Sequence, residues 1–341
     1  MNAPILIGTY TSGGSAQGIY EAEFDTASGV LSGLRLVIHQ KEPSYLVLSG
    51  DGKRLYAVEE TLPEGRVFSY ELTVSGWVQT GCEPSGGSAP CHVMLDEENN
   101  ALAVANYMDG AVSFYALAAD GALCGEPQTV VMEGKGADPK RQECAHAHQC
   151  VKAQDKVLVC DLGTDAVRAF HRGEAGRYGE EAPLVHTRPG AGPRHLVLTK
   201  DGAMLYLLCE LQNVLYAFRK TDKGFAEEGA YEYLPQNAPP SAAAALRISC
   251  DERFLFASSR IGYNGVALFE LDPGTRLPLL RDVCKSGAIP RDILPVGEFL
   301  LCACQDQNAV QVMKLNREKK KLTMQGEIVV PRPVCLALTH K

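Results

Sequence analysis

No run of about 20 apolar residues occurs anywhere in the sequence, so no helical membrane span is encoded. The chain also lacks a Gly-x-Ser-x-Gly elbow, a phosphate-cradling loop and a Gly-x-Gly-x-x-Gly turn opening a helix. Serine-nucleophile and nucleotide-binding mechanisms of those types are therefore unsupported. No stretch sustains the apolar spacing of an amphipathic helix, and almost no helix is expected. Positive charge is in deficit: 33 Lys and Arg against 41 Asp and Glu leave a formal net charge of −8. That balance argues against nucleic acid or an anionic membrane as the main partner. The one basic run, Arg317-Glu318-Lys319-Lys320-Lys321, lies between two strand-like segments and reads as a solvated turn. The opening Met1-Asn2-Ala3-Pro4 has neither the basic nor the apolar segment of a secretion signal, and a cytoplasmic location is expected.

Cysteine is plentiful, at 12, but no Cys-x-x-Cys pair occurs. Most fall in strand-like runs, among them Cys150, Cys160, Cys209, Cys250, Cys302, Cys304 and Cys335. They are expected to be small buried residues with reduced thiols, not a disulfide framework or a structural zinc site.

What the chain does have is a repeated phrase. Gly192-Pro193-Arg194-His195-Leu196-Val197-Leu198, the turn Asp201-Gly202, and Leu205-Tyr206-Leu207-Leu208-Cys209-Glu210 make one β-hairpin with an arginine at its mouth. Aligned on the residue before the first apolar run, the phrase returns at Pro43, Pro90, Ala145, Pro193, Ala243, Pro290 and Pro333, at intervals of 43 to 55 residues. Repeats of that length built from short strands and turns produce four-stranded propeller blades, and seven anchors predict a seven-bladed β-propeller spanning residues 1–341 as a single domain. In the unit after Pro43, Tyr45 to Ser49 reads as the inner strand and the Trp77-Val78 region as a shorter outer edge. The last anchor is followed by one strand only, whereas Ile5 to Tyr10 and Gly18 to Glu23 read as second and third strands. The N-terminal and C-terminal strands are thus expected to share a blade and close the ring.

Polar residues that recur at one register of such a ring converge in space. One position after the anchor stand Ser44, Cys91, His146, Arg194, Ala244, Arg291 and Val334; at the end of the second strand stand Glu60, Asn106, Asp161, Glu210, Arg260 and Gln305. Both registers face one rim, so His146, Arg194, Glu210, Arg260 and Arg291 are expected to form one polar cluster at the mouth of the central channel. Arginines fork onto phosphate or carboxylate and offset charge on a carbonyl oxygen, while Glu210 or His146 would take a proton from water. That combination suits hydrolysis of an activated ester carrying an anionic group. Glu210, His146, Arg194 and Arg260 are the candidate catalytic residues; Arg291, His148, His195 and Asn106 are the candidates for binding substrate. The competing reading for His148 and His195 is a packed histidine, and for Arg194 and Arg291 a structural ion pair.

Ile7-Gly8-Thr9-Tyr10-Thr11, Ala105-Asn106-Tyr107, His146-Ala147-His148 followed by Val159-Cys160-Asp161-Leu162-Gly163, Gly192-Pro193-Arg194-His195-Leu196 leading to Glu210, Ala257-Ser258-Ser259-Arg260 and Pro290-Arg291-Asp292 together resemble the lactonase family of seven-bladed propellers. That family includes bacterial 6-phosphogluconolactonases and fungal 3-carboxy-cis,cis-muconate lactonizing enzymes. The resemblance covers essentially the whole chain. It implies a site of one histidine, two arginines and one glutamate, matched here by His146, Arg194, Arg260 and Glu210, with no metal or other cofactor. It also implies a small anionic lactone as substrate, with 6-phospho-D-glucono-1,5-lactone of the pentose phosphate pathway as the leading expectation and a muconate-type, other sugar or aromatic lactone as the alternative. A non-catalytic propeller binding a protein on its rim is the rival from another class; the expected state is a monomer or weak homodimer. Ala145 stands where relatives carry proline, and Ser259 and Ile261 flank Arg260 where asparagine and glycine are usual. The stretch 134–143, with Lys135, Lys140 and Arg141, lengthens the interval before the histidine pair and is a candidate basic lid.

Overall fold

The computed structural model describes residues 2–339. Among them the strands form seven antiparallel sheets and no helix. Six sheets have four strands and one gains a short fifth. Numbered along the chain, blade 1 joins Pro333–Leu338 to Asn2–Thr9, Gly18–Asp25 and Val30–His39; blades 2 to 7 occupy 46–84, 90–131, 147–186, 193–232, 242–285 and 290–329. Successive inner strands touch one another, and Pro333–Leu338 touches Leu46–Leu48, so the ring is closed. The closure expected from the two chain ends is present: Ile5 pairs with Leu338 and Ile7 with Leu336. No sheet is left with an exposed inner edge.

Each blade lies between two others, and the sequence answers with strands apolar on both faces. Ala101–Asn106, Met204–Cys209 and Phe299–Cys304 are buried at every residue. Seven apolar clusters result, one for each interface between neighbouring blades. Hairpin turns repeat their chemistry as well as their position. Ser49, Thr199 and Ser249 donate their hydroxyls to Asp51, Asp201 and Asp251, and Gly52 and Gly202 supply the positive φ that the turn needs.

Two expectations are corrected. In blade 2 the outer strand Gly76–Pro84 is the longest of the four and the inner strand Leu46–Leu48 the shortest. The outer strand lies largely on the surface, so its polar Gln79-Thr80-Gly81 stretch carries no apolar signal. Cys250 is exposed in the turn after Ala242–Ile248, whereas the other six named cysteines are buried.

Candidate active site

The feature that builds the site is a β-bulge. In six of the seven blades the pairing of inner and second strand slips just after the anchor, between Pro90 and His92, Ala147 and Gln149, Pro193 and His195, Ala243 and Leu246, Pro290 and Asp292, and opposite Gly8 and Thr9. A bulge leaves its extra residue out of the ladder and re-aims the side chain. The residues so released include Cys91, His148, Arg194, Arg291 and Val334, and these five, with Ser44, line one small cavity on the ring axis.

This pairing revises the expected register in blades 3 and 4. Ala147, not Ala145, is the anchor, because it pairs with Asp161 as Pro193 pairs with Cys209. The bulged imidazole is therefore His148, and His146 sits at the rim before the strand, where blade 5 has Gly192: the His146 carbonyl accepts from Leu162 N–H as the Gly192 carbonyl accepts from Glu210 N–H. At the second register the counterparts of Glu210 are Tyr107 and Leu162, not Asn106 and Asp161. One residue of slip turns a side chain to the other face. Asn106 accordingly points into its own blade, donating its amide to the carbonyls of Ser85 and Ala111 and to Ser113 Oγ. It does not join the cluster. Asp161 accepts from the backbone N–H of His146 at 2.8 Å and of Gly163 at 3.0 Å and from Arg168 Nε at 3.1 Å, which makes it the fastening of the histidine segment.

Glu210 is the centre. Its Oε2 accepts from Arg194 Nε at 2.9 Å and from Arg260 Nη2 at 3.1 Å, and its Oε1 accepts from Arg141 Nη2 at 2.7 Å. The side chain is 3% exposed. Burial alone would raise its pKa, but Arg260, Arg194 and Arg141 outweigh that and hold the carboxyl far below its usual range. Arg194 donates to the Ala244 carbonyl across the next blade and lies 3.2 Å from His195 Nε2. Burial, then Arg260, push it down to about 10, so it remains a cation at neutral pH.

Arg291 completes the basic set. It lies over the Tyr10 ring at 5.0 Å and 4.0 Å from Glu60, whose carboxylate also accepts from the Tyr10 hydroxyl at 2.8 Å. Arg141, reaching in from the 134–143 stretch, bridges Glu210 and the Tyr107 hydroxyl and is 41% exposed. The basic stretch thus closes over the rim through Arg141.

The imidazoles form a train. Tyr107 stacks on His146 at 4.7 Å between centroids and meets His148 edge-on at 5.6 Å; His148 meets His195 at 5.6 Å, and His195 meets His92 at 6.3 Å. Burial, reinforced by the arginines, pushes His92, His148 and His195 well below the usual imidazole range, so they are neutral. His146 is oriented differently. Its Nδ1 lies 2.8 Å from the Tyr107 carbonyl, which can only accept, so Nδ1 carries the hydrogen and Nε2 of the neutral ring keeps its lone pair. Tyr107 and Tyr10 stand in the sequence motifs and Arg141 in the basic stretch, but none was a candidate site residue; the period of the repeat, counted from the bulge, would have found Tyr107.

Residues 4–338 match the family model described as "Lactonase, 7-bladed beta-propeller". The chain is 29% identical to the 6-phosphogluconolactonase of Bacillus subtilis over 98% of each chain. Among solved structures, the periplasmic gluconolactonase of Pseudomonas aeruginosa superposes with a TM-score of 0.92 at 28% identity, covering 100% of this chain and 99% of that one. A protein from Lactobacillus plantarum gives 0.92 at 30%, covering all of both chains. The chain belongs to the lactonase family of seven-bladed β-propellers and is a carboxylic ester hydrolase acting on lactones.

Proposed function

We propose that the protein hydrolyses 6-phospho-D-glucono-1,5-lactone to 6-phosphogluconate. The observation that carries this reading is the charge of the cluster. Four guanidiniums, Arg141, Arg194, Arg260 and Arg291, face two carboxylates, Glu210 and Glu60, leaving an excess of positive charge that matches a phosphate monoester of about −1.5 to −2. The name of the Bacillus subtilis relative points the same way.

In this reading His146 is the general base. Glu210, tied to three arginines and held fully ionised, is too weak a base to take a proton from water, whereas Nε2 of His146 has a free lone pair. Water loses its proton to Nε2 as its oxygen bonds to the lactone carbonyl carbon, and the carbonyl oxygen takes up negative charge among the arginine N–H groups. The tetrahedral centre then collapses, the ring C–O bond breaks, and the departing ring oxygen takes the proton back from His146. Glu210 fixes the arginines and supplies no proton.

The test compares freshly prepared phosphogluconolactone with neutral gluconolactone, each corrected for spontaneous hydrolysis. A kcat/KM at least about a hundredfold higher for the phosphorylated lactone is expected. Equal turnover of both would remove the phosphate from the proposal, and a rate no higher than the spontaneous one would remove the substrate altogether.

A further inference from the structure

Beside the arginine cluster, the segment Glu143-Cys144-Ala145-His146 gathers three unlike donor atoms whose separations suit a shared ion. His146 Nε2 lies 3.5 Å from Glu143 Oε2 and 3.9 Å from Cys144 Sγ, and all three donor atoms fall within 4.8 Å of one another. These distances are too long for strong hydrogen bonds. They are close to what a tetrahedral zinc ion imposes: bonds of about 2.3 Å to sulfur and about 2.0–2.1 Å to nitrogen and oxygen put sulfur and nitrogen about 3.6 Å apart, and nitrogen and oxygen about 3.4 Å apart.

Two further observations point to a ligand. The first is the orientation of His146: Nδ1–H donates to the Tyr107 carbonyl, so the ring presents an unprotonated Nε2 in a fixed direction, the usual support behind a metal-binding imidazole. The second is the stiffness of the backbone carrying the donors. A Cβ at Gly163 would lie 1.9 Å from the Cys144 carbonyl oxygen, and one at Gly110 would lie 2.5 Å from that of Ala145, so two glycines clamp the segment from neighbouring turns. Asp161 adds its 2.8 Å bond to the His146 N–H. Cys144 is partly buried and Glu143 half exposed, so an ion has a path in from solvent.

We propose that Glu143, Cys144 and His146 form a binding site for a thiophilic divalent cation, zinc foremost. A thiolate, a carboxylate and a neutral imidazole neutralise the 2+ charge, and the Cys144 thiol releases one proton to solvent on binding. Three protein ligands leave the fourth position for water. Because the ion occupies the Nε2 lone pair, zinc is an inhibitor of lactone hydrolysis; this consequence rests on His146 being the base, and the site itself does not.

The binding test is titration of the full-length protein with cadmium, followed by the thiolate-to-cadmium charge-transfer absorbance in the ultraviolet, with zinc as competitor. The wild type and the Cys124→Ser control, which removes a different exposed thiol, are expected to bind one equivalent that zinc displaces. Cys144→Ser and Glu143→Gln are expected to lose at least about tenfold in affinity. Cadmium binding by Cys144→Ser equal to that of the wild type would overturn the site. In parallel, zinc is expected to slow hydrolysis by the wild type, with recovery on adding a chelator, and to leave Cys144→Ser at its own zinc-free rate. One equivalent bound through Cys144 with no slowing would uphold the metal site and discard His146 as the base.

Discussion

Glu210→Gln is the substitution that most directly interrogates the cluster. The glutamine has the same shape but places an NH2 donor against guanidinium donors and removes the negative charge that Arg194 and Arg260 share through one oxygen. Arg194 is 3% exposed and Arg260 12%, so both are left as buried cations without their counter-ion. Removing one partner of a buried ion pair costs about 3–5 kcal/mol. Arg141 is 41% exposed, so solvent screens its share and it adds little to that figure. For a domain of 341 residues the loss lowers Tm by roughly 4–7 °C. The pH dependence has a definite sign. The folded pKa of Glu210 lies below the ordinary glutamate value, so its contribution is complete above about pH 4.3 and is lost as pH falls from there towards the folded value. Denaturant unfolding of both proteins between pH 8 and pH 3 is expected to give a constant difference down to about pH 5, narrowing below that. Turnover is expected to fall at least about a hundredfold, because the arginines lose their alignment. A variant as stable as the wild type at pH 7 would refute the claim that this carboxylate holds the basic cluster together.

Arg141→Ala removes a charged hydrogen bond from the rim while Arg194 and Arg260 continue to neutralise Glu210. It is expected to leave the unfolding midpoint nearly unchanged and to lower kcat/KM about 10- to 100-fold, mostly through KM, as read from steady-state kinetics. His92, His148 and His195 are neutral when folded and protonate when unfolded, so wild-type stability should decline as pH drops below about 6.5, by up to about 1.4 kcal/mol per pH unit for each histidine. His92→Gln should reduce that slope by one histidine's worth, and an unchanged slope would show that the ring is protonated in the fold. Gly163→Ala drives a Cβ to 1.9 Å from the Cys144 carbonyl oxygen, so a loss of about 2 kcal/mol or more is expected in denaturant unfolding. The same variant should weaken cadmium binding at Cys144.

The architecture was legible because a propeller writes its period into the chain. Recurrent anchors, Asp-Gly turns and the surplus strands at the N-terminus implied seven blades and their closure. Glu210, Arg194 and Arg260 were also legible, since Pro193 and Ala243 are true anchors and the bulges of blades 5 and 6 leave the same count from anchor to rim. The count failed in blades 3 and 4. Asn106 for Tyr107 is an error of one residue in the count from a correctly placed anchor, Pro90, whereas His146 for His148 is an error of two, made where a long insertion precedes the anchor and Ala-His-Ala-His offers two equivalent registers. A bulge is a property of hydrogen bonding between strands, and nothing in local composition marks which residue is left out. The hold of Arg141 on Glu210 was beyond reach for another reason: 69 residues separate them, and no repeat relates a loop insertion to a strand end.

The bulges also decide how substrate reaches the cluster. On the axis, the cavity lined by Ser44, Cys91, His148, Arg194, Arg291 and Val334 has a volume of about 20 Å³, room for roughly one water molecule. A cleft of about 750 Å³ lies among the turns 152–156, 199–202 and 220–224, at the opposite ends of the blade 4 and 5 strands from Glu210, and carries none of the arginines of the cluster. The hole through the ring is therefore narrowed beneath the arginines to that small cavity, whose lining includes the uncharged imidazoles of His148 and His195. The exposed member of the cluster lies at the rim. There, Arg141 is the cluster guanidinium carried on an inserted stretch instead of a blade strand, and the most exposed of the four. On the proposed reading, the substrate phosphate would meet it first and compete with Glu210 for it. Arg141 would then exchange Glu210 for the anion, while Arg194 and Arg260, both on blade strands, would keep their bonds to Glu210.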